Sequence, residues 1–223
     1  MNYKNLFYFD IETVSKYKDI VEFENKDSRG YKLFLQKIKR KKWEGDTNTL
    51  YNDKATLMPE YGKIVCVSMA IYKDNEIKVK SIYDDNEEIL MKKVHKTFSS
   101  ISAKTILGSC GYYIKGFDIP WLNRKMMKYD LKIPNLLKTF NIKPWEMNVF
   151  DLAEIWRSNG TLEYASFDEM LNELGIESPK NDISGGDVNK VYWEEQDLNR
   201  IKKYCENDVI ACVDAAKKLS DII

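Results

Sequence analysis

The stretch Leu6-Phe7-Tyr8-Phe9-Asp10-Ile11-Glu12-Thr13 decides how this chain folds. Its first four residues form the kind of apolar, aromatic run that builds a buried central strand, yet the run passes straight into Asp-Ile-Glu. Strand side chains alternate with period two, so Asp10 and Glu12 share a face, with Cα atoms roughly 6.6 Å apart. Two carboxylates that close raise each other's pKa and repel unless a cation lies between them. Alone, the pair also reads as a strand running out into solvent.

Outward from this strand, at about 5–12, the pattern predicts a polar interval holding a helix-like segment from Tyr31 to Trp43. Strands at about 63–73 and 76–83 flank the turn Lys73-Asp74-Asn75-Glu76. An amphipathic helix at about 86–100 leads into a strand at 104–110, and a helix follows from Asp118 to about Tyr129. A fifth strand at about 147–152 precedes a mostly helical C-terminal third. A hairpin followed by β-α-β predicts an α/β fold: a five-stranded mixed sheet with helices on both faces.

Two further acids stand out. In Gly116-Phe117-Asp118-Ile119-Pro120-Trp121, Asp118 lies near an expected N-cap with Pro120 in the first turn, a position that needs no catalytic role. In the long helix expected from about Glu194 to Ile222, the residues Ile201, Tyr204, Cys205, Val209, Cys212 and Ala216 form one apolar stripe. Tyr204 and Asp208 are four apart on that stripe, which sets a carboxylate at the edge of a core. A surface Asp on the helix margin is the plain alternative.

Together, the Asp-x-Glu strand, the aromatic-preceded Asp118 and Tyr204-x-x-x-Asp208 resemble the DEDD 3'–5' exonucleases of the DEDDy type. They are most similar to exonucleases related to the proofreading domain of family B DNA polymerases. The likeness continues through residues 61–68, Phe150-Asp151-Leu152, Leu174-Gly175-Ile176 and the loop 183–188, and it covers about 14–58 poorly. It implies a ribonuclease-H-like fold in one domain, 1–223, with an insertion at about 14–58. It also implies a two-metal phosphodiester hydrolysis with magnesium or manganese. Asp10, Glu12 and Asp208 would hold the ion that activates water, and Asp10 with Asp118 the ion at the leaving group. Tyr204 would orient the attacking water, since a phenol of pKa near 10 is a poor base at neutral pH.

By the same resemblance, the 3'-terminal nucleotide enters the carboxylate cleft and leaves as a 5'-monophosphate. Ile11, Thr13, Tyr113 and Phe117 are the candidate substrate contacts, Phe117 being equally readable as core. Such middle motifs often carry an Asn where this chain has Tyr113, and a Tyr can hydrogen-bond or stack on a base instead. Single-stranded DNA is the expected substrate. An exoribonuclease acting on RNA 3' ends, or a nucleic-acid-binding module of the same fold without catalysis, are the alternatives.

Composition sets bounds. The chain has 223 residues, 43% of them hydrophobic, enough for a substantial core. That length is short for a polymerase, so a stand-alone nuclease is expected, acting alone or beside a separate DNA polymerase or other replication proteins. No apolar run approaches a membrane span, which makes a membrane partner unexpected. Cys66, Cys110, Cys205 and Cys212 show no C-x-x-C spacing and read as reduced core residues, which fits a cytoplasmic location.

The 35 basic residues balance 35 acidic ones, so bulk charge does not make this a tight non-specific nucleic-acid binder. Arginine occurs only at Arg29, Arg40, Arg124, Arg157 and Arg200, which disfavours bidentate base reading and sequence-specific cutting. The basic block from Lys37 to Trp43 reads as a solvated helix face or a strand-guiding arm. His95 reads as a surface or boundary residue, and Gly185-Gly186 as a flexible loop near the substrate.

Overall fold

A computed structural model describes residues 2–101, 106–143, 146–158, 160–178 and 182–222. Five strands form one sheet: β1 (Leu6–Ser15), β2 (Gly62–Lys73), β3 (Glu76–Tyr83), β4 (Gly108–Gly111) and β5 (Val149–Asp151). Their order is β3-β2-β1-β4-β5, with β1, β2 and β3 antiparallel and β1, β4 and β5 parallel. This is the mixed α/β, ribonuclease-H-like arrangement that the motif order implied. The expected strand at 104–110 begins later, at Gly108, and residues 104 and 105 lie outside the described residues.

Alternation along β1 sorts the core into two layers. Phe7, Phe9 and Ile11 point to one face, where α4 (Glu87–Ser100) and α5 (Asp118–Lys128) cover them with Leu90, Met91, Phe98 and Trp121. Leu6 and Tyr8 point to the other face. There they meet α6 (Leu152–Trp156), α7 (Phe167–Glu173) and the long C-terminal helix, α9 (Leu198–Ser220). Asp10 and Glu12 continue this second face, and so look toward α9.

Between β1 and β2 the chain forms three helices: α1 (Ile20–Lys26), α2 (Ser28–Lys41) and α3 (Thr47–Ala55). Each opens on an aspartate cap: Asp19, Asp27 and Asp46 accept the N–H of Glu22, Gly30 and Thr49 respectively. The three pack around a small aromatic core of Phe23, Phe34, Tyr51 and Tyr61. The helix expected at Tyr31–Trp43 is α2, displaced by a few residues because Asp27 rather than a later residue caps it.

The helix expected from about Glu194 to Ile222 is α9, which starts about four residues later, at Leu198. A short α8 (Val188–Lys190) runs into a π-turn (Val191–Glu195), Gln196 takes a left-handed conformation, and α9 starts afresh on an Asp197 cap. Among the described residues, no helix is long and apolar enough to cross a membrane.

Candidate active site

The sheet itself opens the site. Strand β4 pairs with β1 only at Leu6, Phe7 and Tyr8, and the chain then departs two residues short of Asp10. A crevice at the carboxyl end of parallel strands is where α/β sheets place their ligands. Here Asp118, at the start of α5, reaches across, and its Oδ1 accepts the Ile11 N–H at 3.1 Å. It thus acts as an acceptor just beyond the point where β4 pairing ends. The N-cap of α5 is Phe117, so Asp118 occupies the first helical position rather than the cap expected from its sequence.

On the β2 side, small residues stand opposite the acids: Asp10 pairs with Ser68 and Glu12 with Cys66. The register then slips between Glu12 and Thr13, leaving Val65 as an extra residue on β2. Helix α9 crosses this face and presents Tyr204, Cys205 and Asp208, all buried. The Cys205 thiol donates to Asp10, 3.4 Å from Oδ2 and 3.5 Å from the backbone oxygen.

Asp10, Ile11, Glu12, Tyr113, Phe117, Asp118, Tyr204 and Asp208 therefore line one cavity of about 450 Å³. Thr13 is not among its lining residues. Its hydroxyl instead donates to the Thr56 carbonyl at 2.6 Å, tying β1 to the segment just after α3.

Electrostatically, the acids raise one another's pKa, and among the described residues no lysine or arginine is a leading influence on Asp10, Glu12 or Asp118. Burial, then the charges of Asp118 and Asp208, pushes Asp10 well above the ordinary carboxylate range. Burial, then Asp10 and Asp208, does the same to Glu12. Asp118 is pushed up to about 7, first by burial, although its own N–H and that of Ile11 pull it down. The Tyr204 hydroxyl is raised far above its usual value by burial and by Glu12, Asp208 and Asp10, and it is hydrogen-bonded with Asp208. It stays protonated at any working pH.

Carboxylates held at such a cost suit a cation. Oxygens of Asp10 and Glu12 and the Cys205 sulfur lie within 4.8 Å of one another. Burial also keeps the Cys205 thiol protonated, so it orients Asp10 and leaves hard oxygens as the donor set.

Several contributors escaped the sequence reading. Asp151, buried at the end of β5, accepts the N–H groups of Tyr113, Lys115 and Ala153 and so shapes the loop that delivers Asp118. Its signal was available, since a short apolar strand runs into an acid there just as it does at Asp10. Tyr112 and Tyr164 also line the cavity, the Tyr112 hydroxyl bonding to the Ala165 carbonyl. Tyr164 packs edge-on against Tyr113 at 5.3 Å, and the Arg157 guanidinium lies 4.4 Å over its ring. No local pattern announces that loop.

Tyr113 adopts φ of 56°, a left-handed conformation that Asn tolerates and Tyr rarely does. This accounts physically for an Asn at such a position in similar motifs. A Cβ on Gly116 would stand 2.4 Å from the Tyr113 ring, so the glycine makes room for the aromatic side chain.

Residues 56–213 match the model of a family described as "Predicted 3'-5' exonuclease related to the exonuclease domain of PolB". The chain belongs to this family. The matched segment includes Asp118, Tyr204 and Asp208; Asp10, Glu12 and α1–α3 precede it. Among solved structures, the chain is similar to the family B DNA polymerase from the hyperthermophilic archaeon Pyrobaculum calidifontis, at 15% identity and a TM-score of 0.58. That alignment covers 96% of this chain and 24% of the polymerase chain, and it shows a shared fold. No curated protein matches.

Proposed function

We propose that this chain is a divalent-metal-dependent 3'–5' exonuclease that shortens single-stranded DNA and releases nucleoside 5'-monophosphates. The observation that carries the reading is the convergence of Asp10, Glu12, Asp118 and Asp208, from three distant segments, on one cavity whose lining, among the described residues, includes no lysine or arginine. The family membership supports the reaction class. When bound, two divalent ions would help deprotonate a water near neutral pH and offset the charge that builds on the phosphate and the departing 3'-oxygen.

The four carboxylates would hold these ions, and their hard oxygens favour magnesium or manganese over zinc. Tyr204, permanently protonated, orients the attacking water through its hydroxyl rather than accepting a proton. Asp151 and Cys205 act as positioning residues for Asp118 and Asp10. The pair Tyr113 and Tyr164, with Phe117 next to Asp118, lines the cavity as an aromatic wall suited to stacking the terminal base. Thr13, next to Glu12, anchors the end of β1 through the Thr56 carbonyl and does not touch the cavity.

The test is a gel ladder from 5'-labelled single-stranded DNA with magnesium, alongside an RNA copy and a DNA carrying a 3'-terminal phosphorothioate. Stepwise loss from the 3' end that is blocked by EDTA and slowed by the phosphorothioate is expected. Internal cuts, a ladder from the 5' end, or digestion in EDTA would refute the reading, and a strong preference for the RNA copy would reassign the substrate.

A further inference from the structure

The charges of this chain cancel overall but not locally. Between Ser28 and Lys42, which takes in all of α2, stand Arg29, Lys32, Lys37, Lys39, Arg40, Lys41 and Lys42, and not one acidic residue. Elsewhere, cations on exposed helix faces meet an acid one turn away, as Lys26 meets Glu22, Lys92 meets Glu88 and Lys202 meets Glu206. Helix α2 has no acid of its own with which to do so. Its cap, Asp27, accepts the Gly30 N–H and pairs with Lys16.

Periodicity gathers these charges on one side. Arg29, Lys32, Gln36, Lys39 and Arg40 are exposed, and their spacing of three, four, three and one sets them along a single helix face. At 1.5 Å per residue the stripe is roughly 16 Å long, enough to follow several phosphates of one strand. The opposite side of α2, with Tyr31, Phe34 and Ile38, is packed into the aromatic core of α1–α3.

Helix stability does not call for this pattern. Cations near the C-terminal end suit the helix dipole, but Arg29 in the first turn opposes it, and like charges three or four residues apart repel. A polyanion lying along the face would offset both costs. A lipid surface fits less well, because the apolar side that would enter it is already buried in the protein.

The acid cavity needs such help from outside. Among the described residues its lining holds no lysine or arginine, so its carboxylates repel a nucleic-acid backbone and offer nothing to grip one. The helices α1–α3 join β1 just beyond Glu12, through the Thr13 hydroxyl on the Thr56 carbonyl and the Lys16 N–H on the Tyr61 carbonyl. Helix α2 also precedes residues 56–213, the segment that matches the family.

We infer that the exposed face of α2 is a docking rail for the phosphate backbone of a nucleic-acid strand whose 3' end occupies the acid cavity. The naming of that strand as substrate rests on the exonuclease reading. Contacts to phosphate alone make the rail indifferent to sequence.

The test replaces Arg29, Lys32, Lys39 and Arg40 together by Gln, a good helix former. A control replaces four exposed lysines on other elements, Lys73, Lys96, Lys132 and Lys138, by Gln, which changes the net charge equally. Anisotropy of a labelled single-stranded 30-mer, ended in a 3' phosphorothioate and held in calcium, is read from 50 to 300 mM salt. The α2 variant should bind at least about tenfold more weakly at low salt, with a log–log salt slope shallower by roughly 2–3. The control should stay within about twofold of the wild type. Cleavage of a trinucleotide, too short to reach along the rail, should be the same in all three proteins.

The melting temperature of the α2 variant should equal or exceed that of the wild type, because repulsion is relieved. Should it fall instead, the pairs R29Q/K32Q and K39Q/R40Q, each expected to lose about half of the slope, take its place. An unchanged slope, or an equal loss in the control, would overturn the rail. So would unaltered DNA binding by an α2 variant that no longer sediments with anionic vesicles to which the wild type binds, which would reassign the face to a membrane. A wild type that binds the 30-mer with the expected α2 dependence yet cleaves nothing in magnesium or manganese would sink the exonuclease reading and uphold the rail.

Discussion

Asp118→Asn is the most discriminating single change, because it keeps the shape of the side chain and the acceptor for the Ile11 N–H while removing the charge. Burial pushes Asp118 up to about 7 from an ordinary value of 3.8. A carboxylate raised in the folded state contributes stability that is fully present below its unfolded pKa and lost as pH rises through its folded pKa. Between pH 5 and pH 8 the metal-free wild type should therefore lose about 2–3 kcal/mol from Asp118 alone. For a chain of this size that lowers the melting temperature by roughly 5–10 °C. Asp10 and Glu12, raised for the same reason, steepen the fall.

In EDTA at pH 8, Asp118→Asn should melt several degrees above the wild type, and the gap should close by pH 5. Saturating manganese should reverse the order, since the wild type has the full set of carboxylates to gain from a cation. Hydrolysis of single-stranded DNA should drop at least ~10³-fold, as expected when a ligand of a catalytic ion is lost. Scanning calorimetry across pH, with and without metal, reads all of this. A variant less stable than the wild type by the same amount at pH 5 and pH 8 would show that ionised Asp118 costs the fold nothing, and the metal-site argument would fail.

Tyr204→Phe should keep metal affinity and slow hydrolysis by ~10–10³-fold, because it deletes a positioning hydrogen bond and no ligand. Calorimetric metal titration beside single-turnover rates checks this, and a large loss of affinity would contradict the role. Tyr113→Asn, made in a Tyr164→Ala background where the ring contact is already gone, should stabilise the protein by about 1 kcal/mol by relieving the left-handed backbone at φ of 56°. In the native background it should raise KM for oligonucleotides; a lowered stability in the first experiment would mean that Tyr113 is not strained.

Asp10, Glu12 and Asp208 were legible because each violated a local rule, whereas Asp118, at a helix start where an acid is ordinary, was legible only through the resemblance. A central strand that ends in carboxylates, and a helix whose apolar stripe admits an Asp, are costly unless something offsets the charge. The β2–β3 hairpin was legible because two strand-like runs flank one two-residue turn, Asp74-Asn75. What stayed hidden depends on tertiary placement. Asp151 shapes the 113–118 loop from a different strand, and Tyr164 meets Tyr113 only because α6 and the loop after it bring it there. The start of α9 was placed about four residues early, since Glu194 and Glu195 look helical while Gln196 turns left-handed before the Asp197 cap.

The lobe of α1–α3 was the least legible part, although its three aspartate caps and its Phe and Tyr residues were in view. Its helices are short, and α2 alone has the length at which periodicity speaks clearly. Its attachments explain why it matters for the site. Beyond Glu12, Thr13 bonds Thr56, the Lys16 N–H bonds Tyr61, and the Tyr17 N–H bonds the Tyr51 hydroxyl. Buried Ser15 meanwhile receives the Trp193 indole and donates its N–H to Asn189. The strand that carries two of the four acids is thus clamped, immediately after them, to both the lobe and the segment leading into α9. Displacing the lobe would shift the end of β1 and the approach to Tyr204 together. Through these ties the α1–α3 lobe fixes the end of the strand that carries Asp10 and Glu12.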